Sequence, residues 1–372
     1  MKNILDTGIK NAKNVDRYIF GAGSLGEINK LIHPMIDSQD DYCIFFVDEF
    51  FKNHEEIFDS IDLAFNHEMI YVKTNDEPTT DYIDNLVEKI RSATPSLPSV
   101  IIGMGGGIAL DVAKAIANLL TNPGTAADYQ GWDLVKNPSI FKIGIPTLSG
   151  TGAETTRTCV LTNKKNGLKL GMNSDFSVYD QIILDPDLTK TVPRNQYFYT
   201  GMDAYIHSFE ALNGSYRNPI GDAFSKIAIQ YAKEVFESED MQSEQNRSKL
   251  MVASYMGGSA IATTYVGLVH PFSAGLSVVF GLHHCVSNCM AMRAMEEFYP
   301  TEYNDFWNMT KIQDIKIPKL NGEIIETNLS EEEHKQLYAS TIIHEKPLTN
   351  ALGSEYRKIL SPEKVNEMFK MI

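Results

Sequence analysis

The chain has 372 residues, 43% of them hydrophobic and 22% charged, an ordinary balance for a folded protein of about two domains. Forty-eight acids against 33 bases leave a formal net charge of -15, a field that repels phosphate backbones and anionic lipid and so sets nucleic-acid and membrane-surface roles aside. No apolar run approaches the ~18 residues of a membrane span. The start Met1-Lys2-Asn3-Ile4-Leu5-Asp6 shows no signal-peptide pattern, and Cys43, Cys159, Cys285 and Cys289 lack disulfide-scaffold spacing. The expectation is a cytoplasmic protein with reduced thiols.

In chain order, Tyr18-Ile19-Phe20 is a short strand leading into Gly21-Ala22-Gly23-Ser24-Leu25-Gly26, followed by an amphipathic helix over Leu25–Leu31. Tyr42–Val47 is a continuous apolar run ending at Asp48, the pattern of a buried parallel strand. Asp81–Arg91 has helical spacing, Ser99–Gly103 is a second buried strand, Ile108–Leu120 a helix, and Phe141–Ile145 a third strand. Strands separated by helices predict an α/β domain with a parallel sheet. From about Pro193 the pattern becomes helical, with helices expected over Tyr199–Leu212, Ile220–Phe236, Asn246–Thr264, His284–Tyr299, Ser330–Ile343 and Pro362–Met371. Ser330 followed by Glu331, Glu332 and Glu333 marks a helix start, with acids at the positive end of the dipole. Phe306–Asn328 reads as irregular. The division falls at about residue 190, giving an α/β domain over 1–190 and an all-α domain over 191–372.

Two glycine loops compete as phosphate sites. Gly21–Gly26 fits G-x-G-x-x-G with Asp48 at a suitable distance, but its strand is short and a simple turn explains its glycines. Gly105-Gly106-Gly107 lies between a convincing strand and a convincing helix, where backbone N–H groups and the helix dipole favour a phosphate. The loop Pro146–Glu154 also follows a strand and belongs at the same carboxyl edge, as does Asp48. By local sequence Asp48 serves equally well as a ribose acceptor or as a helix cap.

The helical half holds a second constellation. Asp203 and His207 are four apart, on one face of a helix, as a metal pair requires. His270, His283 and His284 sit in apolar, glycine-rich surroundings. Pattern alone leaves these imidazoles balanced between hydrogen-bonded core residues and ligands.

Taken together, Gly105-Gly106-Gly107 with Asp111 and Lys114, the Pro146–Glu154 loop, Asp185-Pro186-Asp187-Leu188, Gly201-Met202-Asp203-Ala204 with His207 and Glu210, Asn218-Pro219, His270 and His284 closely resemble the iron-containing (group III) alcohol dehydrogenase family. The resemblance covers most of the chain. It implies an N-terminal dinucleotide-binding α/β domain and a C-terminal helical metal-binding domain. It implies a divalent metal, Fe(II) or Zn(II), on Asp203, His207, His270 and His284, a set that does not by itself distinguish the two. It implies NAD on Asp48 for the adenosine ribose, on Gly105, Gly106 and Gly107 for the pyrophosphate, on Thr147 and Leu148 near the nicotinamide side and on Lys169 at the ribose, with Asp111 and Thr151 also among the cofactor residues. An acid at position 48 would repel a 2′-phosphate, which favours NAD over NADP.

The chain departs from the family pattern at Ile108 and Leu148, and at Ala274, where many members carry a proton-relay histidine. His283, Tyr265 or ordered water are the substitutes that remain. The implied reaction is hydride transfer between a primary alcohol and NAD, giving an aldehyde, with a small alcohol or sugar acid as substrate and a homodimer as the assembly. The run His270–Ser277 with His283-His284-Cys285 resembles the branch acting on the C8 hydroxyl of 3-deoxy-D-manno-octulosonate, in lipopolysaccharide biosynthesis. A sugar acid also needs a cationic partner, for which Arg157, Arg194, Arg217 and Arg293 are the candidates. The competing readings are another alcohol dehydrogenase of the family, and a sugar-phosphate cyclase of the dehydroquinate synthase type.

Overall fold

A computed structural model describes residues 7–61, 63, 65–325 and 329–372. The start Met1–Asp6 and the last three residues of the segment expected to be irregular, 326–328, lie outside the described residues. The chain divides into two compact units, 12–191 and 192–372, with residues 7–11 grouped with the second.

In chain order the first unit runs β1 (Arg17–Phe20), α1 (Ile28–Ile32), β2 (Cys43–Asp48), β3 (His67–Val72), α2 (Thr80–Ala93), β4 (Val100–Gly105), α3 (Gly107–Thr121), β5 (Gly131–Trp132), β6 (Phe141–Pro146), β7 (Thr158–Asn163), β8 (Leu168–Asn173) and β9 (Gln181–Leu184). Six strands form one parallel sheet in the order β1-β9-β6-β4-β2-β3. The chain leaves β2 toward β3 on one side and returns to β4 on the other, so the carboxyl ends of β2 and β4 flank the switch point at which such sheets bind ligands. Alternation along β2 fills both faces: Ile44 and Phe46 pack with α2 and α3, while Cys43, Phe45 and Val47 pack with α1. β5, β8 and β7 form a small second sheet.

The second unit runs α4 (Arg194–Asn213), α5 (Pro219–Phe236), α6 (Glu244–Thr263), α7 (Val269–Phe280), α8 (His284–Ala291), α9 (Pro300–Ile312), α10 (Glu331–Ile342), α11 (Glu345–Leu352), α12 (Tyr356–Ile359) and α13 (Pro362–Met371). One continuous apolar core, including Phe198, Phe209, Phe236, Phe272, Phe306 and Phe369, joins these helices.

Several elements differ from the sequence expectation. The helix expected over Leu25–Leu31 is a 3-10 turn, Ser24–Glu27, running into the short α1, and Pro34 lies in the 3-10 turn that follows it. The helix expected over His284–Tyr299 stops early: α8 ends at Ala291, a 3-10 turn follows, and Tyr299 takes φ -136, ψ 61 ahead of Pro300, the residue before a proline being disfavoured from helix. The expectation of irregular chain from Phe306 is corrected by α9, which runs to Ile312 and buries Phe306 and Met309. Pro300 opens that helix at a position whose missing N–H costs nothing.

Candidate functional site

Asp203, His207 and Glu210 lie on α4 at positions i, i+4 and i+7, so they share one face, and the helix buries all three. His270 is the second residue of α7, and Pro271 sits in that helix's first turn, where its ring is tolerated. His284 is the first residue of α8. Three segments distant in sequence are thereby brought to one place.

One ligand atom each from Asp203, His270 and His284 lies within 4.8 Å of the others. Asp203 Oδ1 is 3.3 Å from His270 Nε2, and Oδ2 is 3.9 Å from His284 Nε2. His207 stands at the margin of this group, its Nε2 3.4 Å from Asp203 Oδ1 and its ring stacked on that of His270 at 4.6 Å and 14°. His207 Nδ1 is buried without a hydrogen-bond partner among the described residues.

Partners behind the rings set their direction. His270 Nδ1 meets Glu210 Oε2 at 2.5 Å, while Glu210 Oε1 accepts from the Val269 N–H at 2.6 Å. Both oxygens of a carboxylate with no exposure are thus used to fix the first turn of α7 and to turn His270 Nε2 toward Asp203. His284 Nδ1 lies 3.2 Å from Ser273 Oγ. A histidine whose far nitrogen is held by a carboxylate or hydroxyl is the usual arrangement behind a metal ligand.

Electrostatics agree with the geometry. Burial opposes the Asp203 charge, but His207, His270 and His284 outweigh it and hold the carboxyl well below the usual carboxylate range. Burial pushes His207 down to about 4. Burial also opposes charge on His270, yet Glu210 and then Asp203 prevail and raise it to about 9. A carboxylate with adjacent imidazoles, one of them carrying an orphaned buried nitrogen, fits a divalent first-row ion.

In the α/β unit, the carboxyl ends of β2 and β4 carry the expected cofactor residues. Gly105 has φ +152, and a Cβ there would lie 2.9 Å from Asp48 Cβ and 2.7 Å from Ala109 Cβ. A Cβ on Gly106 would meet Leu148 Cδ1 at 2.7 Å, and one on Gly107 would meet Thr151 at 3.3 Å. Gly105 is therefore required by its backbone conformation and the close approach of β2, while Gly106 and Gly107 lie against side chains of the Pro146–Glu154 loop. Gly106 caps α3 with no side-chain hydrogen bond, which leaves the first-turn amides uncovered by any side-chain cap. That is the arrangement an incoming phosphate uses. Thr147 is buried in the same loop and donates its N–H to Gly105 O at 2.9 Å.

Asp48 and the other expected residues have contacts of their own within the protein. Asp48 Oδ1 caps the following 3-10 turn through Phe50 N and accepts from Thr74 Oγ1, so the capping role is realised; burial raises its pKa. Asp111 accepts from Val160 N at 2.9 Å and lies 3.4 Å from Lys114 Nζ, bracing α3 against β7. Lys169 is ion-paired with Glu77 at 2.7 Å. Tyr265 packs edge-on against Tyr216, and His283 is exposed at the start of α8. Ala274 is buried one turn after His270. The competing loop Gly21–Gly26 is closed from within: Asp185 accepts from the N–H groups of Gly23 and Leu25, the amides a phosphate would need.

Sequence reasoning did not assign roles to Glu210, Ser273 or Asn288. The i+7 spacing of Glu210 from Asp203 was the one available signal, since Ser273 and Asn288 are defined by contacts between separate helices.

Comparison with known proteins agrees with the fold. The iron-containing alcohol dehydrogenase family model matches residues 16–186, and the model for the C-terminal part of the Fe-containing alcohol dehydrogenase family matches residues 197–341. A sulfoacetaldehyde reductase of Bilophila wadsworthia is 35% identical over 217 residues, 58% of this chain and 55% of that protein. An NAD-dependent methanol dehydrogenase of Bacillus methanolicus is 34% identical over 197 residues, 52% of this chain and 51% of the other. These matches span about half the length of the curated relatives. A crystal structure of 1,3-propanediol oxidoreductase superposes with a TM-score of 0.83 at 19% identity, covering 97% of this chain and 99% of the other. A sulfoacetaldehyde reductase from Bifidobacterium kashiwanohense in complex with NAD+ gives 0.80 at 22% identity, covering 97% and 98%.

Proposed function

We propose, for a chain that belongs to the iron-containing alcohol dehydrogenase family, that it is an NAD-dependent and metal-dependent oxidoreductase interconverting a primary alcohol and its aldehyde. The observation that carries this reading is the convergence of Asp203, His270 and His284 ligand atoms within 4.8 Å, with His207 beside them. When bound, a divalent ion supplies Lewis-acid polarisation of the substrate oxygen, and NAD supplies the hydride acceptor. The chain's own work is positioning. Asp203, His207, His270 and His284 hold the ion, and Glu210 and Ser273 keep two of the rings turned inward. The uncovered start of α3 takes the pyrophosphate, and Asp48 disfavours a 2′-phosphate by its charge. His283, exposed beside His284, is the proton-relay candidate, with Tyr265 as the second.

The substrate class that this reading supports is a small primary alcohol, and the sugar acid lacks a dedicated cationic partner among the arginines considered for it. Each arginine considered for a sugar-acid carboxylate is held by the protein itself. Arg157 pairs with Asp133 and Asp175, and Arg194 binds Gln313 through its carbonyl and side chain. Arg217 is bidentate on Asp222, while Arg293 binds Ile317 O and lies over Trp307. The C8 hydroxyl of 3-deoxy-D-manno-octulosonate therefore rests on the sequence run alone and becomes one arm of the test. The cyclase alternative is not favoured, because both matching family models are those of alcohol dehydrogenases. Among the described residues no helix is long and apolar enough to cross a membrane. A homodimer belongs to the same reading and is checked by light scattering.

The test is an NADH-formation screen of short primary alcohols, sulfonated alcohols and sugar acids, with Fe(II) or Zn(II) supplied. Turnover is expected with at least one of these primary alcohols and is expected to fall to background on chelation. Failure of every alcohol and aldehyde to support NAD(H)-dependent turnover with either metal would overturn the proposal.

A further inference from the structure

The geometry points to Asn288 as a positioning residue of the metal centre, one that holds the Asp203 carboxylate in register with His270 and His284. This rests on the reading that the cluster takes a divalent ion. Asn288 lies one helical turn after His284 on α8, on the same face, and has no exposure. Its Nδ2 donates to Asp203 Oδ1 at 2.8 Å and lies 3.3 Å from His284 Nε2 and 3.5 Å from His270 Nε2. One amide nitrogen thus touches ligand atoms from α4, α7 and α8.

The direction of the amide follows from these contacts. Reversing it would set the Asn288 oxygen against Asp203 Oδ1, lone pair against lone pair. In the observed orientation the Asn288 Oδ1 is buried with no hydrogen-bond partner among the described residues. A buried amide kept only for structure normally satisfies both its ends. Here one end is left unpartnered while the other faces three ligands.

An aspartate needs such a donor. Rotation about its terminal torsion is broad and roughly two-fold, so packing alone does not fix which oxygen faces the imidazoles. Cys285 Sγ offers only a long contact, 3.9 Å from Asp203 Oδ2. The Asn288 N–H is the short bond and therefore sets the carboxylate plane. Because Asn288 and His284 share α8, the same bond also registers that helix on α4.

The experiment compares wild type, N288L and N288S for Zn(II) affinity by chelator competition, and for the absorption bands of the Co(II)-loaded protein. Leucine keeps the shape of asparagine and removes the donor; serine provides a second variant where leucine prevents folding. The expected result is about 10- to 100-fold weaker Zn(II) binding with shifted Co(II) bands, the size seen when an outer partner of a ligand is removed. Affinity within about threefold of wild type, or unchanged bands, in a folded variant would overturn the inference, because a role confined to packing lowers stability without altering coordination. Absence of Zn(II) binding by the wild type would instead overturn the metal-site reading on which the inference rests.

Discussion

Glu210 lies in a place without exposure, with one oxygen on His270 Nδ1 and the other on the Val269 amide. A carboxylate so placed fixes the orientation of the His270 ring and with it the direction of Nε2 toward Asp203. E210Q keeps the shape but removes the charge and turns a donor toward one of the two N–H groups. Metal affinity measured by chelator competition should fall about 10- to 100-fold, with the helical fold retained by circular dichroism. Affinity equal to that of wild type would show that the short contact has no bearing on the ion. Cys159 gives a separate prediction, of stability against pH. Burial in the interior pushes its thiol from 9.0 up to about 12. Below pH 9 the folded and unfolded chains both keep this proton, so the group contributes no slope. Above that pH the unfolded thiol ionises and the buried one does not, so stability falls by ~1.4 kcal/mol per pH unit until about pH 12. Thermal denaturation of C159A should therefore show a shallower loss across that window than wild type, whereas parallel curves would contradict the assignment.

The two glycine loops differ in what occupies their amides. Gly21–Gly26 matches a dinucleotide fingerprint, but Asp185 accepts from Gly23 N at 3.1 Å, from Leu25 N at 2.9 Å and from Asp187 N at 3.0 Å. It ties the loop after β1 to the loop after β9. D185A should lower stability by about 1.5–3 kcal/mol in urea unfolding, as loss of bonds to a buried charge does, while leaving the affinity for NADH unchanged. A selective loss of NADH binding would return the phosphate role to the first loop. Elements with a strong local signal were legible in the sequence. β2 and β4 are uninterrupted apolar runs, and Ser330 with Glu333 forms the reciprocal cap of α10. α7 was not legible as a helix, because it is apolar on nearly every side, as a helix buried all round must be. β9, four residues long between Asp180 and Asp185, was missed, as was α9, whose aromatic residues and asparagines obscure its buried face. In the candidate site, the Asp203–His207 pair could be read from spacing alone. The Glu210–His270 and Asn288–Asp203 contacts could not, since they join residues 60 and 85 apart in sequence and exist only once the helices pack.

Over the whole molecule, the two units carry different chemical equipment. The unit of residues 12–191 has the sheet switch point and an uncapped helix start; the unit of residues 192–372 has the carboxylate and imidazoles. The excess of acids says little about this, because a formal charge of -15 describes the chain and not the helix start or the cluster. The proposed function requires a divalent ion on Asp203, His207, His270 and His284 for NAD-dependent alcohol oxidation. It is tested most directly by measuring bound iron and zinc together with NADH formation in wild type and H270A, before and after chelation. The expected result is a single ion per wild-type chain, activity lost on chelation and recovered on adding the metal back, and a folded H270A with neither bound ion nor turnover. Alcohol oxidation at the wild-type rate by chelated protein or by metal-free H270A would contradict it.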